Sequence, residues 1–174
     1  MSKSHFFQEH AIDLNTNDIC EKISETFDYS LLEEDMNIDY EKFPNELPNI
    51  DEHIKLLYEK YYYNLHHDGY NYNNSGVFYI QKILTITPKF LATLPWSKGI
   101  KPKKILSNAL NIHIFLNDPG LYFEYFCPFN NDIVGIKCQP GKAAVYPNFW
   151  GSIFKHVTFD KNVLYINCII GVLQ

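Results

Sequence analysis

From residue 77 onward the chain breaks into seven short runs of β-branched and aromatic residues, and no stretch of helical spacing separates any two of them. The runs cover 77–87, 105–117, 121–127, 132–138, 142–147, 152–159 and 162–173, and each is bounded by Gly, Pro, Asn or Asp. Parallel strands need long crossovers, usually helical, so this order excludes a βαβ layout and predicts an antiparallel sandwich or barrel.

The first third reads differently. Asn15 or Thr16 can cap a helix in which Ile19, Ile23 and Phe27 recur every four residues, with Asp18 and Glu21 in its positive first turn. Residues 33–49 are acidic and carry two prolines, which reads as a surface connection. Asn49 can cap a second helix over 50–65, whose Ile50, Ile54, Leu57, Tyr58, Tyr61 and Leu65 form one apolar stripe. The expected fold class is therefore mainly β with N-terminal helices (α+β), in one domain over 1–174. Residues 1–68 would be helical support and residues 77–174 the core. A chain of 174 residues is long enough for one real core and short for two.

Composition narrows the setting. Hydrophobic content of 46% with 20% charged residues belongs to a folded globule. No apolar run is long enough to span a bilayer and the start shows no secretory pattern, so a cytoplasmic setting is expected. Cys20, Cys127, Cys138 and Cys168 lie far apart with no C-x-x-C pair, which argues for reduced thiols and against zinc held by cysteine. The chain contains no arginine, and its net charge is −5. Nucleic acid is therefore not an expected partner. Residues 1–68 carry sixteen acids against five lysines, whereas 69–112 carry six lysines and no acid.

Three phrases in the second half carry a resemblance: "NIHIFLNDPGLYFEYF" (111–126), "IKCQPGKAAVYPN" (136–148) and "FKHVTFDKNVLYINCIIG" (154–171). Their order and spacing resemble the second half of the prolyl-4-hydroxylase-like Fe(II)/2-oxoglutarate oxygenases. The resemblance implies a double-stranded β-helix, or jelly roll. It also implies Fe(II) held by two histidines and a carboxylate, with open positions for 2-oxoglutarate and dioxygen. His156 falls where that family has its distal metal ligand.

The rest of the implied site is displaced or missing. Between Asp68 and His113 the chain has no Asp, Glu, His or Cys, so "TITPKFLATLPWSKGIKPKKIL" (85–106) supplies no His-x-Asp motif where the family has one. The only His-x-Asp is His66-His67-Asp68, well upstream. His113 is the other candidate ligand. Alternation places Leu110, Ile112, Ile114 and Leu116 on one face, and Asn111, His113 and Phe115 on the other. The cosubstrate's basic partner would lie ten residues past His156, at Ile166, and there is no arginine to replace it. Lys161, Lys137 or Lys82 can act as a point charge, and Tyr79 or Tyr146 can donate a hydrogen bond.

Three functions follow. One is a degenerate jelly roll without metal that binds a protein partner or self-assembles, with the Tyr-rich run 61–74, Trp96 and Trp150 as surface candidates unless Tyr58, Tyr61 and Trp150 are core. Another is an active hydroxylase using Fe(II) and 2-oxoglutarate with His66 or His113, Asp68 and His156 as rearranged ligands. The third is a virion or assembly component, because the Asn-, Lys-, Ile- and Tyr-heavy composition resembles that of an AT-rich genome such as a phage's.

Overall fold

The computed structural model of the chain describes residues 6–26, 28–44, 46–69, 76–89, 97–98, 101–155 and 161–174. In chain order the elements are β1 (Gln8–Ala11), α1 (Thr16–Thr26), β2 (Met36–Asp39), α2 (Asp51–His67), β3 (Phe78–Thr87), β4 (Ser97–Lys98), β5 (Leu106–Phe115), β6 (Tyr122–Phe126), β7 (Ile133–Lys137), β8 (Lys142–Pro147), β9 (Gly151–Lys155) and β10 (Val163–Leu173). Single turns of 3-10 helix lie at Tyr29–Leu31 and Tyr40–Lys42.

Two antiparallel sheets result, one of six strands in the order β1-β8-β5-β10-β3-β2 and one of four in the order β4-β9-β6-β7. Each of the seven runs read from the sequence contains a strand, and residues 156–159 of the sixth lie outside the described residues. The N-terminal third is more than helical support, because β1 pairs with β8 and β2 pairs with β3, widening the larger sheet at both edges. Residues 36–39, read as part of a loop, are thus a strand.

Helix starts follow the side chains available. Asn15 accepts the Asp18 N–H at 3.1 Å, which serves an otherwise orphaned donor of α1. Helix α2 opens one residue later than predicted, with Ile50 in the cap position; the Asn49 side chain still accepts the Asp51 N–H at 2.9 Å. The expected continuation of α1 at Phe27 lies outside the described residues.

The strands' period of two divides the molecule into two cores. On the outer face of the six-stranded sheet, Leu84, Ile86, Leu110, Ile112, Ile114, Leu164, Ile166 and Ile170 pack under the helices' Ile19, Ile23, Ile54, Leu57, Tyr58 and Leu65. On the inner face, Phe115, Ala144, Tyr146, Val163 and Tyr165 meet Phe123, Tyr125 and Ile136 of the smaller sheet, with Trp150. Each fully buried aliphatic side chain contributes about 1.5–3 kcal/mol. The β10–β5 pairing shifts register between Ile170 and Val172, and a Cβ at Gly171 would meet the Leu106 Cβ at 2.9 Å and the Ser107 carbonyl at 3.0 Å. Glycine is what lets the two backbones approach there. Among the described residues no helix is long and apolar enough to cross a membrane.

Candidate functional site

His113 is the centre of the inner face. Its strand β5 lies between β10 and β8, with Asn167 and Ala144 as its register partners. The predicted alternation holds, since Leu110, Ile112, Ile114 and Leu116 face the helices while Phe115 joins the inner core. The ring is 1% exposed. It packs against Phe123 at 4.9 Å, Tyr165 at 5.2 Å and Tyr146 at 5.3 Å between centroids.

Both ring nitrogens are occupied. Nδ1 lies 2.9 Å from the Tyr125 hydroxyl and Nε2 lies 2.9 Å from the Tyr146 hydroxyl. Asn111 donates from Nδ2 to the Tyr146 oxygen at 3.5 Å. Either neutral tautomer of the imidazole satisfies these contacts, with one tyrosine hydroxyl donating to the bare ring nitrogen, the other accepting the ring N–H, and Asn111 donating to Tyr146.

The histidine and both tyrosines of this hydrogen-bonded network are uncharged near neutral pH. Burial lowers the His113 pKa to about 3, against a weaker opposite pull from the Asn167 amide. Burial first, and then the neighbouring Tyr146, Cys138 and Tyr165, hold Tyr125 well above the ordinary tyrosine value. Tyr146 and Tyr165 are raised mainly by burial, and the Cys138 thiol is pushed to about 12 by burial and then Asp118. The amide oxygens of Asn111 and Gln81 are buried without a hydrogen-bond partner. The inner face is polar and neutral. It is suited to hydrogen bonding and offers no fixed charge among the groups named.

The other predicted site residues are scattered. His66 and Asp68 lie at the exposed C-terminal end of α2, on the layer that covers the outer face, so the six-stranded sheet stands between that layer and His113. Tyr146 is in the inner core, as described. Tyr79 is half-buried on β3, with the Lys104 ammonium 5.2 Å from its ring centre. Lys137 ends β7 and pairs loosely with Asp118 at 3.9 Å. Lys161 is exposed just before β10. Lys82 faces the helices, bound to Asp51 and, at 2.9 Å, to Glu41. Ile166, at the implied position of the cosubstrate's basic partner, is buried in the outer core. His156 lies outside the described residues, as does Trp96.

Trp150, named as a surface candidate, is 1% exposed and belongs to the inner core, and Tyr58 and Tyr61 are core as well. Sequence reasoning missed Tyr125. Its signal was present, because Phe123 and Tyr125 share a parity in "LYFEYFC", and that parity faces the other sheet.

The topology decides what the molecule is like. The eight strands β3-β10-β5-β8 and β4-β9-β6-β7 form two facing four-stranded layers with β1 and β2 added at the edges, as in a double-sheet jelly roll. A Pseudomonas putida prolyl-4-hydroxylase superposes with a TM-score of 0.58 at 9% identity, over 97% of this chain and 94% of that one. The chain has the prolyl-4-hydroxylase fold. The viral collagen prolyl hydroxylase vCPH of Paramecium Bursaria Chlorella virus-1 superposes with a TM-score of 0.53 at 10% identity, over 97% of each chain. SnoK, a non-heme alpha-ketoglutarate-dependent carbocyclase of nogalamycin biosynthesis, gives 0.58 at 12% identity, over 96% of this chain and 80% of its own. No family model and no curated protein sequence matches the chain. Identities this low establish the fold alone.

Whether Fe(II) and 2-oxoglutarate suit the residues can be tested on the donor set. Among the described residues no three of His, Cys, Asp and Glu come together in a way that could hold a metal. Strand β4, which pairs with β9, brings serine and lysine, and residues 69–112 contain no acid, histidine or cysteine. The buried imidazole of His113 spends both nitrogens on tyrosines. The described residues do not fit a two-histidine, one-carboxylate iron site.

Proposed function

We propose that the chain is a non-catalytic relative of the Fe(II)/2-oxoglutarate oxygenases that keeps the jelly roll as a binding or structural module. The observation that supports this most directly is the neutral Tyr146–His113–Tyr125 network on the inner face, where an iron enzyme needs imidazole nitrogens free to ligate, a carboxylate, and a cationic anchor for the cosubstrate. The missing acids and histidines of residues 69–112 and the missing arginine support it independently. In this reading the module works through its surface, on a protein partner or on further copies of itself, inside a cell or within a virion.

The test is calorimetric titration of the purified chain with Fe(II) or Co(II), with and without 2-oxoglutarate, beside His156→Ala. Neither protein is expected to show saturable binding near one equivalent. Binding near one equivalent that disappears in His156→Ala overturns the reading and makes His66, Asp68 and His113 the next residues to change.

A further inference from the structure

A cleft of about 590 Å³ opens beside the end of β8, between α2, the start of β5 and the β6–β7 hairpin. That volume lies in the range of small-molecule sites, roughly 300–1,000 Å³. Among the described residues its walls carry no acidic or basic side chain, although charged residues are 20% of the chain. Tyr61 and Tyr62 contribute ring surface, because both hydroxyls donate to backbone carbonyls, Tyr61 to Phe6 at 2.8 Å and Tyr62 to Asn108 at 2.9 Å.

Two aromatic side chains on the cleft are left in water. Phe129 is 81% exposed and Phe149 is 52% exposed, and their rings lie 5.0 Å apart. Phenylalanines on view beside a concave apolar wall mark a binding surface more often than a lone exposed leucine does.

We infer that this cleft binds a small, uncharged aromatic molecule, with its ring held against Phe129 and Phe149. A charged ligand is disfavoured because nothing in the walls would replace its lost hydration. The inference rests on the binding-module reading and gives it a ligand class.

The experiment is a fluorescence titration of the full chain in EDTA, so that no metal site contributes and failure of the cleft is distinct from failure of the metal-free reading. The probes are N-phenylnaphthylamine, which is neutral with one N–H, and anilinonaphthalene sulfonate, which adds an anionic group to the same rings. Expected are saturable binding of the neutral probe, binding of the sulfonate weaker by about tenfold or more, and a loss of about tenfold in the double variant Phe129→Ala/Phe149→Ala. Both phenylalanines are exposed, so the double variant should melt with the parent. Equal affinity for the neutral and anionic probes, or indifference to the phenylalanine substitutions, overturns the inference. So does absence of probe binding together with a dimer in sedimentation that the double variant abolishes, because the face would then serve a second copy of the chain.

Discussion

The two faces of the six-stranded sheet come from the same strands, taken at alternate residues, and they hold opposite kinds of core. The outer face is aliphatic and is covered by α1 and α2. The inner face is aromatic and polar, with His113, Asn111, Tyr146 and Tyr165 turned toward the smaller sheet. The outer face needs only volume and apolarity, which many sequences supply. The inner face needs particular partners at particular atoms, and those it has are neutral. The difference separates what holds the fold together from the side of the fold where chemistry or specificity would have to reside.

The largest expected effect lies on the outer face. Ile166 is fully buried there, and Ile166→Ala removes methyl groups from a packed layer that cannot collapse around the gap. A loss of about 4 kcal/mol is expected in urea unfolding. A loss below about 1 kcal/mol would show the helical layer to be loosely packed and would erase the contrast between the faces.

The inner face should instead declare itself through acid. An unfolded histidine takes up a proton near pH 6.5, whereas folded His113 resists until about pH 3. Between those values the unfolded state binds the extra proton. The stability tied to a neutral His113 is therefore complete above pH 6.5 and is lost as pH falls toward 3. By pH 4 the loss is on the order of 3 kcal/mol. His113→Gln has no imidazole to titrate, so the stability gap between wild type and variant should shrink by about that amount from pH 7.5 to pH 4. Urea unfolding at several pH values reads this directly, and a constant gap would mean that water reaches the ring.

Much of this contrast was legible in the sequence, for a physical reason. Side-chain alternation is local, so the two faces of β5 could be read from "ALNIHIFLN", and the stripe of α2 from its spacing. Edge strands are harder. The segments "QEHA" and "MNID" pair because β8 and β3 offer them free edges, and their own composition says little. The site was only half legible, because His113 could be assigned to a face, whereas its clamping by Tyr125 depends on how one sheet lies on the other. His66 and Asp68 match a metal motif in spacing, yet they fall on a helix end, where local sequence cannot tell which side of a sheet the helix will cover. Trp150 was left open between surface and core for a similar reason, since its burial comes from the inner core closing over it and Phe7 stacking 6.4 Å from its ring.

The smallest effect belongs to the one buried ion group on the outer face. Lys82 is 5% exposed, and its ammonium reaches Asp51 in the first turn of α2 and Glu41 beyond it. Burial pulls its pKa down, but hydrogen bonds and attraction from Asp51 and Glu41 outweigh burial, so the net shift is upward. A lysine with a raised pKa contributes stability that is complete below its ordinary value and is lost only as strongly alkaline pH passes the folded one. Lys82→Met keeps the apolar stem under the helical layer and leaves two carboxylates that still reach water, with side-chain exposures of 36% and 69%. No buried charge is stranded, so the cost should stay under about 1 kcal/mol. With respect to Lys82 that cost should be flat from pH 6 to pH 9, a range in which the lysine keeps its charge. A cost of 3 kcal/mol or more in the same urea assay would make the ion group an anchor of the helical layer. The outer face would then depend, as the inner one does, on partners placed atom by atom.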